Sequence, residues 1–137
     1  MKIKNIFDIA GRAMAAQMVR LNTISSNLAN AGATTGNPET VYKPLKPEFK
    51  TQYSENVKQN GISTVNVSRV VELQKEPFKI FDPNHPLADG DGYIYKAPIN
   101  VEEEMVDMMD ASRQYQNNIE VVTTLKALTL KTINLGK

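Results

Sequence analysis

Two apolar stripes, one at each end of the chain, constrain what this sequence can fold into. Ile3, Phe7, Ala10, Met14, Gln17, Leu21, Ile24, Leu28 and Ala31 recur at alternating steps of four and three, with one polar entry at Gln17. That is a heptad seam sustained for about four repeats, long enough to read as coiled coil. A helix over this stretch would run roughly 43 Å at ~1.5 Å per residue. Such a rod has no core of its own, and each seam side chain contributes only ~1.5–3 kcal/mol once a partner covers it.

The other end mirrors the first. Val101, Met105, Met108, Ser112, Tyr115, Ile119 and Val122 step by four and three, and the seam continues through Leu125, Leu128, Thr132 and Leu135. Successive steps of three near Leu125 predict a stammer, which overwinds a coiled coil locally. Asn100 is placed to cap this helix with Glu103 reaching back to it, Glu102 to Glu104 suit the positive end of its dipole, and Gly136 ends it.

Between the two tracts the material changes. Gly32, Gly36, Pro38, Pro44, Pro47 and Gly61 punctuate residues 32–61 too heavily for a long regular element. "STVNVSRVVE" sets Val65, Val67, Arg69 and Val71 on one face of a strand, and Tyr93 to Lys96 reads as a second short strand in turn-rich surroundings. The expected fold is therefore mainly α: an N-terminal helix over 1–31 and a C-terminal helix over 100–137 form a coiled-coil pair and one structural unit. A small, irregular, β-containing segment over 32–99 joins them.

The outward faces of these helices are unusual. No charged residue occurs from Thr23 to Ala33, and only Glu120 between Gln114 and Leu125. A long helix so poor in charge is normally covered on more than one side. The Asn and Ser side chains can bond to neighbouring helices and Ala allows close approach, so the tract reads as a contact surface for several partners. Charge is also unevenly placed: residues 1–69 sum to +5 and residues 70–137 to −4. That favours pairing of the two ends within or between molecules. The net charge of +1 implies no bulk attraction to nucleic acid or membrane.

No enzyme is legible. The "DGDG" run fails as a calcium loop, because Tyr93 and Ile94 stand where an Asp or Asn and a Gly are required. His85 is the sole histidine and there is no cysteine, so neither a two-histidine nor a thiolate metal site can be built. Ser25 and Ser26 have no base nearby. Gly32 and Gly36 follow a helix, whereas a phosphate cradle precedes one. The carboxylates Glu102, Glu103, Glu104, Asp107 and Asp110 are explained by a helix start. Arg113 and Tyr115 on an acidic helix are a poor basis for binding single strands of nucleic acid. Asp8, Gly11 and Arg12 interrupt the N-terminal apolar run, so no cleavable leader is expected, nor any membrane insertion.

At residue level the chain resembles a known family. "IFDIAGRAMAAQMVRLNTISSNLANA" is similar to the N-terminal signature of flagellar rod, hook and hook-associated proteins, its centre being Leu21, Asn22, Ser26, Asn27, Leu28, Ala29, Asn30 and Ala31. The tail from Asn100 resembles the same family's C-terminal helix, and "DPNHPLADGDGYIYKAPINV" resembles its proximal-rod type. Where many relatives pass directly to an Asn-Thr-x-Gly-Tyr run, "GATTGNPETVYK" intervenes here before Tyr42.

The resemblance implies a structural subunit of the basal-body proximal rod, the shaft that carries motor torque across the periplasm to the hook. It further implies export by the flagellar type III apparatus without a cleaved leader, and terminal helices that order on joining a tubular stack. The implied partners are copies of itself, other rod proteins, the membrane-ring base and the surrounding ring proteins, with no cofactor. The seam residues expected to form the assembly interface are Met14, Leu21, Ile24, Leu28, Tyr115, Ile119, Val122, Leu125, Leu128 and Leu135, with Asn27 and Asn30 as polar register-setters. The rival reading is an independently folded helical adaptor or chaperone that binds a partner helix.

Overall fold

The computed structural model describes residues 3–53 and 63–136. Met1, Lys2, residues 54–62 and Lys137, which belong to the three segments drawn from the sequence, lie outside the described residues. Helix α1 spans Ile3–Asn30 and helix α2 spans Val101–Leu135. Between them come β1 (Thr34–Thr35), a 3-10 turn (Pro38–Thr40), β2 (Leu45–Tyr53), β3 (Ser63–Glu72), β4 (Phe78–Phe81) and β5 (Tyr93–Lys96). The mainly α architecture with a small β-containing middle is what the sequence predicts.

The helices pack on one another antiparallel. Residues of rising number in α1 meet residues of falling number in α2: Arg20 reaches Asp107 and Asp110, and Asn27 reaches Glu104. Asn100 caps α2, its side-chain oxygen accepting the N–H groups of Glu102 at 3.0 Å and Glu103 at 3.2 Å. With 35 residues against 28, and with Arg20 set against Asp107 and Asp110, α2 continues past the start of α1.

The contact stripe on α2 differs from the one its apolar residues predict. Ala111 is fully buried, and the partly buried positions around it are Glu104, Met108, Ser112, Tyr115, Asn118, Val122, Leu125 and Thr129. From Ala111 onward the stripe steps through Tyr115, Asn118, Val122, Leu125 and Thr129 by four and three, so the expected stammer near Leu125 is absent from the face turned to α1. The reason is packing against small residues. Ala10 and Ala16 are each 3% exposed on α1, so a close helix approach favours Ala111 over larger side chains nearby. Asn118 and Thr129 on this stripe satisfy their polar groups by donating back to the carbonyls of Gln114 and Leu125, both at 2.8 Å.

The middle holds two small sheets. β2 and β3 form an antiparallel pair against α1, and β5 lies between β1 and β4. The nine-residue β2 corrects the expectation that proline and glycine exclude a long element over residues 32–61. Pro47 is tolerated because every second N–H of a two-stranded sheet points away from the partner strand. A bulge also corrects the one-face reading of β3. Glu48 pairs with Arg69 but Phe49 with Val67, leaving Ser68 unmatched. One extra residue reverses strand parity, so Arg69 and Val71 leave the face of Val65 and Val67. Arg69 instead pairs with Glu48 at 2.7 Å in the open, and that bond holds the Glu48 carboxyl below its usual range.

Two glycines are required by the loops. A side chain at Gly36 would meet the Leu87 carbonyl oxygen at 2.5 Å, and Gly92 has a φ of +81°. Gly92 closes the "DGDG" run, Asp89 to Gly92, which forms a turn. Asp89 organises that turn, its carboxylate accepting the N–H groups of Tyr93 at 2.8 Å and Asp91 at 3.0 Å and the Tyr95 hydroxyl at 3.2 Å. These donors, led by the Tyr93 N–H, hold the Asp89 carboxyl below its usual range. His85 is a turn residue too, its Nδ1 accepting the Leu87 N–H at 3.1 Å.

Candidate assembly interface

The polar centre of the molecule is Asn27, on the penultimate turn of α1 and 2% exposed. Its amide uses all four hydrogen-bonding positions. Oδ1 accepts the Leu45 N–H at 2.8 Å and the Tyr42 hydroxyl at 3.1 Å. Nδ2 donates to the Leu45 carbonyl at 2.9 Å and to Glu104 Oε1 at 3.1 Å. One side chain thereby joins the end of α1, the linker, the start of β2 and the first turn of α2. The intervening "GATTGNPETVYK" stretch supplies this geometry: β1 and the 3-10 turn, capped by Asn37, carry Tyr42 back to Asn27. Beside the polar centre lies an apolar cluster of Ala31, Val41, Ala97 and Ile99, with Tyr42 and Tyr95 against it.

Charge follows the same junction. Arg20 bridges Asp107 at 3.2 Å and Asp110 at 3.0 Å, carboxylates that remain about half exposed. Such pairs contribute only about 0.2–1 kcal/mol each, so they orient the helices more than they hold them. Burial raises the Glu104 carboxyl above its usual range and the neighbouring Asp107 and Glu103 add to this, against the Asn27 bond and Lys75. Burial also raises the Tyr42 hydroxyl, with Glu104 and Glu72 adding to it.

A pH prediction follows from Glu104. Because the folded chain holds this proton more tightly than the unfolded one, the contribution is present below the unfolded pKa of ~4.3 and is lost as pH rises through the folded value. Glu104→Gln keeps an oxygen for Asn27 and removes the charge. It is expected to raise the melting temperature at pH 7 but not at pH 3. An unchanged pH 7 melt would show that the carboxylate is well solvated.

The residues expected at an assembly interface separate into two groups. Ile24 and Asn27 are buried inside the chain, and Tyr115, Val122 and Leu125 lie half-buried on the α2 contact stripe. Met14, Leu21 and Leu28 are half-buried on α1. Ile119, Leu128 and Leu135 are exposed, Leu135 at 87%. Asn30 donates to the Ser26 carbonyl of its own helix at 2.8 Å and reaches no other element through that bond. Gln17, the polar seam entry, keeps a buried amide oxygen without a hydrogen-bond partner. Ala111, Tyr42, Leu45 and Glu104 escaped the periodicity argument. Small size marks Ala111, but nothing local marks the others.

Among the described residues no helix is long and apolar enough to cross a membrane. Residues 7–36 match the family described as "Flagella basal body rod protein", and residues 91–135 match "Flagellar basal body rod FlgEFG protein C-terminal". Over 137 residues the chain is 43% identical to the flagellar basal-body rod protein FlgC of Salmonella typhimurium and 42% identical to that of Escherichia coli O6:H1. It is 28% identical to the FlgC of Buchnera aphidicola subsp. Baizongia pistaciae, and each of the three alignments spans 100% of both chains. The sequence signature at each end, the paired terminal helices and these full-length similarities agree: the chain belongs to the flagellar basal-body rod protein family, FlgC type.

Proposed function

We propose that this chain is a subunit of the proximal rod that stacks with copies of itself and with other rod proteins into the tubular shaft transmitting torque to the hook. The observation that carries this reading is the incompleteness of the helices. Each spends one narrow stripe on the other, while large apolar side chains such as Met18, Met109 and Leu130 stay 45–65% exposed. Exposed apolar surface on this scale marks contact sites. In the assembly the two helices act as a coiled-coil pair and one unit over 1–31 and 100–137, with residues 32–99 as the attached middle. Torque is borne by many interhelical contacts at once, so the function requires no catalytic group. Contacts with the membrane-ring base and surrounding ring proteins, a periplasmic position, and passage through the flagellar export apparatus without a cleaved leader complete the reading. The comparisons favour it over an independently folded adaptor or chaperone.

Leu28 tests it. The side chain is half-buried on the α1 seam, in the last turn of the helix, rather than locked in the core. Leu28→Asp, expressed in a motile bacterium lacking its own copy of this chain, is expected to leave the protein soluble, absent from isolated basal bodies and unable to restore swimming. Normal incorporation into the rod would overturn the seam assignment.

A further inference from the structure

Thioether sulfur is the most easily oxidised group in this chain. The sequence has six methionines and neither cysteine nor tryptophan, so no thiol competes for an oxidant. Three of the methionines, Met105, Met108 and Met109, crowd the start of α2, and the helix presents them differently. Met105 and Met109 are 54% and 65% exposed, whereas Met108 between them is half-buried on the stripe turned to α1. Positions 105 and 109 are one turn apart and share a face of the helix. On α1, Met18 is 45% exposed and Met14 is half-buried. An oxidant must reach the sulfur to react with it, so the open pair on α2 is the most vulnerable.

We propose that Met105 and Met109 form an oxidation site whose state governs entry of the chain into the rod. A hydroperoxide transfers one oxygen atom to each thioether. The sulfur lone pair forms the S–O bond as the peroxide O–O bond breaks, sulfur gives up two electrons, and the peroxide's other oxygen leaves as water. The sulfoxide is a polar hydrogen-bond acceptor, so the face shared by the two side chains turns from apolar to polar. In the separate chain both sulfoxides stay hydrated, and the fold loses little. Beneath a neighbour each would need a donor that an apolar contact does not supply. Oxidation therefore spares the folded chain and disables its assembly, and reduction of the sulfoxide restores it. This inference rests on the rod reading and adds a chemical condition for joining the assembly.

The test begins with the purified full-length chain in hydrogen peroxide, each methionine being followed by peptide mass spectrometry. Met105 and Met109 are expected to gain oxygen at least about fivefold faster than Met108 and Met14. The chain oxidised at those two positions should melt within about 2 °C of the untreated one. In a motile bacterium grown with peroxide, the two sulfoxides are expected in chain outside the basal bodies and to be at least about tenfold rarer within them. Met105→Gln/Met109→Gln places a polar amide where each sulfoxide would stand. It should melt like the native chain and be missing from basal bodies without any peroxide. Equal oxidation of Met108, a melt that collapses on oxidation, or equal sulfoxide in both pools would overturn the proposal. If the glutamine variant enters the rod normally while Leu28→Asp is excluded, the rod reading stands and the oxidation site falls. If both variants enter, the seam assignment falls with it.

Discussion

Asn27→Ala is expected to lower the unfolding free energy of the purified chain by about 3–5 kcal/mol, read as a fall in the denaturant midpoint. The substitution deletes four hydrogen bonds and leaves the Leu45 N–H and carbonyl without their partner. Each buried polar group stranded in this way costs about 1–3 kcal/mol. Against a domain stability of roughly 5–15 kcal/mol this is a large fraction. Asn27→Asp separates the contributions. It keeps the acceptor for Leu45 and Tyr42, loses both donations, and sets a carboxylate against Glu104. Its loss should therefore shrink in acid, or when Glu104→Gln supplies a donor in the same place. If Asn27→Ala unfolds at the native midpoint, the four-way junction does not hold the helices to the linker.

The second large effect concerns the helix contact. Ala111 is 0% exposed, and the register given by Arg20 places it opposite the turn from Ala16 to Arg20. Ala111→Leu adds three carbons where the backbones approach closely. Overpacking of this kind costs about 1–3 kcal/mol when the neighbours cannot yield. The upper part of that range is expected here, because Ala16 and the two helix backbones offer no flexible end to displace. The same variant should be missing from basal bodies, since prising the helices apart alters the faces shown to neighbours. Native stability together with normal rod entry would mean that the helices are not closely packed at this level.

The two helices and the cap at Asn100 were legible because they depend on local periodicity and on groups within three residues of one another. The face of α2 turned to α1 was legible only in part: Met108, Ser112, Tyr115, Val122 and Leu125 lie on it as the spacing predicts. Hydrophobicity selected Met105, Ile119 and Leu128, whereas close packing selected Ala111, with Asn118 and Thr129 admitted by bonds to their own helix. β2 stayed hidden because Pro47, with Pro44 just before the strand, read as punctuation, and the parity of β3 changed at a single unmatched residue, Ser68. Asn27 was singled out as a polar register-setter of the assembly interface, and the structure buries it inside the chain with four hydrogen bonds. Which partners it has could not be read from the chain, since Tyr42 and Leu45 lie fifteen and eighteen residues away and Glu104 seventy-seven.

Heptad spacing, turn chemistry and the signatures at each end were thus enough to establish two long helices around a small β-containing middle, and with them the family. Those features are short-range and each residue's type reports them directly. The seam of α1 was legible too, since Ala10, Ile24 and Ala31 are buried on it, but that Ala111 is the closest contact of α2, and which side chain ties the four elements together, came from the three-dimensional arrangement alone. Packing energy there depends on the summed shape and hydrogen bonding of residues far apart in the chain, and no single residue encodes that sum.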